Sequence, residues 1–211
     1  MPAIQPLIIP RNAVQLFIPG PLGQLDCLRL DPPTAAIKGV AIIFHPDPKG
    51  GGTYTNKIVQ TLAKVLNSKG YICYCPNLRG VGMSDGTHDY GMGEVNDALA
   101  IYEYITEEHP GLPLVLAGFS FGCAIASSLA TKCPYRNLIL IAPAVTRYKV
   151  YAPDTATTIV IHGFDDEVIA LQDVFIWAKE NKQSIICVPG TTHFFHGKLV
   201  ELANILNGFD I

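Results

Sequence analysis

Ser120 sits in Gly118-Phe119-Ser120-Phe121-Gly122, after the apolar run LPLVLA and before the small residues Cys123-Ala124-Ile125-Ala126. A serine exposed at a sharp strand-to-helix turn needs neighbours without side chains, and the flanking glycines meet that need. The helix that follows would aim its free N–H groups and positive dipole end at whatever the serine attacks. A serine in an ordinary β-α turn fits the same five residues, so more residues are required.

A hydroxyl is a weak nucleophile at neutral pH. It needs a base to take its proton and a third group to hold that base in the right tautomer. In the chain order serine, acid, histidine, the acid follows a later strand and the histidine the last one. TIVIHGFDDEV places Asp165 and Asp166 just past an apolar run, and SIICVPGTTHFFHG places His193 just past the final one. Spacing does not choose between Asp165 and Asp166. His193 lies nearer the strand end than His196, which abuts the final helix and reads as a helix-start or surface residue. His162, inside IVIHG, reads as a hydrogen-bonded core or turn histidine, since its position breaks the chain order.

A tetrahedral intermediate calls for two backbone donors. One is expected from Phe121, the residue after the serine. The other is expected in His45-Pro46-Asp47-Pro48-Lys49-Gly50-Gly51-Gly52, where Asp47, between two prolines, is the only N–H before Lys49. Those glycines lack the Gly-Lys-Ser/Thr ending of a phosphate-binding loop.

The elements that must position these groups alternate. Apolar runs GVAIIFHP, YICYCPN, LPLVLAG, NLILIAP, TIVIHG and SIICVPG are interleaved with helical segments. One such segment places Ile58, Leu62, Val65 and Leu66 on one face, with Gly70 closing it; another does so with Val95, Leu99, Tyr102 and Ile105. VQLFI and QLDCLRL form a hairpin around Pro19–Gly23. This pattern predicts an α/β fold with a mostly parallel sheet covered on both faces, and ligands in such sheets bind beyond the strands' carboxyl ends. Every polar residue singled out above falls on that edge.

The chain has 211 residues, a net charge of −3 and scattered lysines and arginines. That predicts a single domain over residues 1–211 and disfavours a nucleic-acid partner or a polybasic membrane patch. No apolar run reaches membrane-spanning length, and the proline-broken N-terminus does not read as a leader. Of six cysteines, Cys73, Cys75, Cys123 and Cys187 lie in apolar segments expected to be core. They predict reduced thiols in a cytoplasmic protein, and no His/Cys cluster has zinc-ligand spacing, so no metal is expected.

Together these pieces resemble the α/β-hydrolase superfamily, and more narrowly the small, lidless bacterial serine hydrolases related to dienelactone hydrolases and serine aminopeptidases. The resemblance rests on His45-Pro46-Asp47-Pro48 with Gly51-Gly52-Thr53 and Asn56-Lys57, on NLRGVGMSDGTHD, on LAGFSFG, on IHGFDDEV and on PGTTHFFHG. It implies an α/β-hydrolase fold of about eight strands. Its His-Gly-x-x-Asp pattern selects Asp166, its Gly-x-x-His selects His193, and its Arg-Gly-x-Gly-x-Ser loop gives Arg79 and Ser84 a mainly structural role. Relatives often carry a second histidine where this chain has Asp47, whose carboxylate is expected to point away from an oxyanion.

Ala144 to Ala156 is too short for a cap domain, so the site should be shallow and open, with Phe119, Phe121, Phe194, Phe195, Tyr148 and Tyr151 as the apolar rim, the phenylalanines alternatively as core. The implied function is hydrolysis of a small ester, thioester or related acyl bond through an acyl-enzyme, with a small acyl substrate and no cofactor. The alternative is a catalytically silent binding module of the same fold.

Overall fold

Every residue of β3 (Gly39–Phe44), β4 (Tyr71–Pro76), β5 (Leu114–Phe119) and β7 (Thr158–Gly163) is buried, which is the signature of strands covered on both faces. The computed structural model describes residues 13–211; the stretch up to Asn12 lies outside the described residues. Alongside these strands stand β1 (Ala13–Gly20), β2 (Gly23–Leu30), β6 (Asn137–Ile141) and the short β8 (Ile186–Val188). All eight form one sheet in the order β1-β2-β4-β3-β5-β6-β7-β8. β1 and β2 pair antiparallel, β2 meets β4 antiparallel, and all further pairs are parallel. This is the α/β-hydrolase fold.

Alternation along the strands divides the core in two. Val40, Ile42 and Phe44 of β3 face one cluster, which also holds the apolar sides of α2 (Met92–Glu108), α3 (Phe121–Ala130) and α4 (Leu171–Glu180). Ala41 and Ile43 face the other, built on α1 (Lys57–Ser68) and α5 (Leu199–Asn207). The Asn56 side chain caps α1 by accepting from the Ile58 amide at 2.9 Å. Gly70, at φ +99, carries the chain out of that helix.

Three local expectations shift. The β1–β2 hairpin is tighter than the sequence predicts, with pairing running through Pro19↔Gln24 and Gly20↔Gly23, so Pro21 and Leu22 alone make the turn. The helix after Ser120, which the run of small residues would carry on to Cys133, ends at Ala130. Cys187 is half-buried instead of core, because β8 is an edge strand with one open side.

The loop after β4 is pinned by buried polar groups. Arg79 donates from Nε and Nη2 to the two carboxylate oxygens of Asp97 at 2.9 and 2.7 Å. Ser84 Oγ donates to the Asn77 carbonyl and accepts from the Asp26 amide. The structural role expected for both residues fits these contacts.

The turn between β5 and α3 is the tightest point of the fold. A Cβ on Gly118 would fall inside 3 Å of Gly122 and Cys123 backbone, and one on Gly122 would do the same against the carbonyls of Phe44 and His45. Gly122→Ala should therefore cost about 2–3 kcal/mol through forced overpacking, a fall in Tm of about 5–10 °C for a chain of this size. Gly50→Ala, whose Cβ meets nothing within 4 Å, should leave Tm within about 2 °C. Thermal unfolding of the two variants checks both.

Candidate active site

Ser120 occupies the N-cap of α3 with φ 53 and ψ −112, a positive-φ conformation that a non-glycine residue holds only when its surroundings impose it. Its own amide donates to the Ile141 carbonyl at 2.9 Å, and the Cys123 amide donates back to the Ser120 carbonyl at 3.1 Å. Both ends of the residue are thus tied down, which leaves the hydroxyl at the carboxyl edge of the sheet. The loops after β7 and β8 bring Asp166 and His193 to the same place.

Ser120 Oγ lies 3.1 Å from His193 Nε2, and His193 Nδ1 lies 2.7 Å from Asp166 Oδ2. Burial by itself would raise the Asp166 carboxyl. The His193 N–H and the Ile169 and Val168 amides outweigh it and hold the carboxyl below its ordinary value. Asp166 is therefore ionised at neutral pH and acceptor-only, so His193 carries its proton on Nδ1 and presents the Nε2 lone pair to the serine hydroxyl. The neighbouring Asp165 is exposed, and among the described residues no hydrogen bond or ion pair joins it to His193. His196 is exposed and stacks beside Phe194. His162 is fully buried; its Nε2–H donates to the Ile169 carbonyl at 3.0 Å and stands 3.5 Å from Asp166 Oδ2.

The loop after β3 is organised by His45. The Leu78 amide donates to its Nε2 at 3.1 Å, so the ring proton is on Nδ1, which donates to the Pro46 carbonyl at 2.7 Å. The Pro46–Asp47 peptide is trans, so its N–H points opposite to its carbonyl, away from the buried imidazole. Neither the Asp47 amide nor the Phe121 amide, which stands at the first position of α3, has an acceptor among the described residues. The amides of Gly50, Gly51 and Gly52 all donate within their own turn and are not presented to a ligand. The Asp47 carboxylate accepts from the Lys49 amide at 2.9 Å and the Tyr148 hydroxyl at 3.3 Å.

A cavity of about 330 Å³ opens over these groups, lined by Ser120, His193, Asp47, Lys49, Arg147 and Phe194 among others. Of the residues read as its apolar rim, Phe194 is on its wall. Phe119, Phe121 and Phe195 are fully buried, because each sits beside a tight turn whose inner side faces the core. Phe119 packs behind the His193 ring at a centroid separation of 5.1 Å, while Phe194 meets that ring edge-on at the same distance from outside. Tyr148 and Tyr151 line an adjoining groove of about 360 Å³ instead. Sequence reasoning assigned no role to His45, to the Glu167 carboxylate that accepts from the His193 amide at 3.2 Å, or to Lys49 and Arg147. Only His45, next to the two prolines, left a trace that could have been followed. Among the described residues, no group of three or more His, Cys, Asp or Glu side chains is placed to hold a metal ion, and no helix is long and apolar enough to cross a membrane.

An eight-stranded, mostly parallel sheet with serine, histidine and aspartate converging at its carboxyl edge defines the α/β serine hydrolase class. Residues 35–160 match the family model described as serine aminopeptidase, S33. The protein RP471 of Rickettsia prowazekii is 32% identical over 209 residues, covering 92% of this chain and 87% of that one. The chain belongs to this S33 family. Two solved structures are close in shape. An α/β serine hydrolase homologue from Coxiella burnetii superposes with a TM-score of 0.86 at 35% identity over 92% of this chain and 95% of that one. An α/β serine hydrolase without lid from Xanthomonas campestris gives 0.86 at 36% over 96% and 94%.

Burial lowers the His45 pKa to about 4, and that of His162 is lowered by burial as well. The unfolded chain takes up these protons first, so the stability tied to neutral His45 is complete above about pH 6.5 and is lost as pH falls toward its folded value. The loss should reach about 3 kcal/mol between pH 7 and 4. Urea unfolding of the wild-type chain across that range should show this decline, and His45→Asn should show a shallower one.

Proposed function

We propose that the chain is an esterase-like serine hydrolase acting on a small ester, thioester or related acyl bond. Ser120 Oγ adds to the carbonyl carbon as its proton passes to His193 Nε2; Asp166 holds the ring and stabilises the imidazolium. The tetrahedral oxyanion is held by the Phe121 and Asp47 amides. The carbon–leaving-group bond then breaks as His193 returns the proton to the departing oxygen or sulfur, which leaves an acyl-Ser120 ester. Water repeats the sequence: His193 takes its proton, the carbon–Oγ bond breaks, and Ser120 is restored as the carboxylic acid departs. The chain and water supply every group in this scheme.

The observation that carries the reading is the hydrogen-bonded chain Ser120–His193–Asp166 with separations of 3.1 and 2.7 Å. Two amides without acceptors beside the serine give it further support. His45 serves as a positioning residue, since its hold on the Pro46 carbonyl turns the Asp47 N–H outward. All six cysteines are free thiols, which fits a cytoplasmic setting. The rival reading, a silent binding module, keeps the same pocket but gives Ser120 no reactivity.

A fluorophosphonate separates the two. The intact chain should take up one adduct, on Ser120, while Ser120→Ala takes up none and loses at least about a thousandfold in turnover of a short acyl ester. Asp166→Asn should slow labelling by about a hundredfold or more through loss of the correct tautomer. Labelling that survives in Ser120→Ala would overturn the assignment.

A further inference from the structure

The cavity over Ser120 carries charge for which the acyl chemistry has no use. Lys49 and Arg147 both line it, and among the described residues neither forms an ion pair within 4 Å of a carboxylate. Among the described residues the one acidic side chain on its wall, Asp47, already accepts from the Lys49 amide on Oδ1 and from the Tyr148 hydroxyl on Oδ2. That hydroxyl stays protonated, since burial and the Asp47 charge push its pKa to about 12.

Lys49 is exposed, and its head group has a partner on the surface. Its Nζ donates to the Tyr90 hydroxyl at 2.7 Å and lies 4.2 Å from that ring's centroid. Arg147 comes from the short connector after β6. The connector turns back on itself through the Arg147 and Tyr148 amides, both of which donate to the Ala144 carbonyl. Arg147 also borders the adjoining groove, whose wall adds Lys149, with its Nζ 4.8 Å from the Tyr151 ring centroid. The chain is net negative with 15 lysines and arginines in 211 residues, so this pairing of cations at the reacting serine stands against the overall charge.

We infer that the substrate is anionic: it bears a carboxylate or phosphate group near the scissile acyl bond, and Lys49 and Arg147 bind it. This rests on the proposed hydrolase reading for the reaction, but the anion site stands on its own geometry. Lys49 and Arg147 on the wall of one small cavity suit a compact oxyanion, since a guanidinium can offer it two parallel donors and an ammonium a point charge. The glycine amides of the loop after β3 are spent internally, so side chains must supply the recognition. The same charges disfavour a substrate with a free α-amine, whose ammonium would meet two cations and a carboxylate already engaged.

The test uses matched esters: mono-4-nitrophenyl glutarate against 4-nitrophenyl valerate, and 4-acetoxybenzoate and 4-acetoxyphenyl phosphate against 4-acetoxybenzamide. These place the charge on the acyl or the leaving side and separate carboxylate from phosphate. Arg147→Gln and Lys49→Gln should each lower the anionic-to-neutral ratio of kcat/KM by about two- to fivefold, the order expected of an exposed charge-assisted contact. Ratios unmoved by both substitutions in every pair would overturn the inference. A second arm needs no turnover: NMR titration of monoethyl glutarate into Ser120→Ala, alone and combined with Arg147→Gln. Weaker binding in the double variant supports the anion site even if no ester is hydrolysed, a result that would sink the hydrolase reading alone. Equal binding overturns the anion site.

Discussion

The close approach of the β5–α3 turn to the end of β3 is the constraint from which the site is built. Gly122 packs against the Phe44 and His45 carbonyls, and Gly118 packs against the backbone of Gly122 and Cys123. That contact puts the serine, the first turn of α3 and the loop after β3 within one site radius. It also imposes the positive-φ backbone at Ser120, which two hydrogen bonds then hold. Strain of this kind costs free energy, and the fully buried strands on both sides keep it from relaxing.

A second layer works by directing protons and peptide planes. The Leu78 amide decides which nitrogen of His45 carries hydrogen, and through it which way the Pro46–Asp47 peptide faces. Asp166 does the same for His193 while two loop amides keep it ionised. In both cases a buried imidazole reads one backbone or carboxylate group and passes an orientation to an atom that faces the cavity. His162 adds a third, neutral ring against the Ile169 carbonyl under Asp166.

The absence of a cap between β6 and β7 has a consequence for recognition. In place of a covering domain, a short connector reaches the rim and contributes Arg147, while the loop after β3 contributes Lys49 under the control of Tyr90. On the proposed reading, selectivity in this open site falls to charge and to a few rim side chains such as Phe194, not to enclosure.

The sequence by itself determined the element order, the two-faced sheet, the strand-turn-helix at Ser120 and the strand ends that carry Asp166, His193 and Asp47. These follow from local rules: periodicity, the fixed chain order of elements, glycine at crowded turns and the missing N–H of proline. The choice between Asp165 and Asp166 came from resemblance to relatives, and in space it rests on one contact to His193. Tertiary structure alone decided which aromatic rings face outward. Phe119, Phe121 and Phe195 went to the core and Tyr148 and Tyr151 to a neighbouring groove, because a side chain beside a turn can point to either face. It alone also brought Lys49 and Arg147 to one cavity, since a contact between loops a hundred residues apart leaves no periodic trace in a single chain.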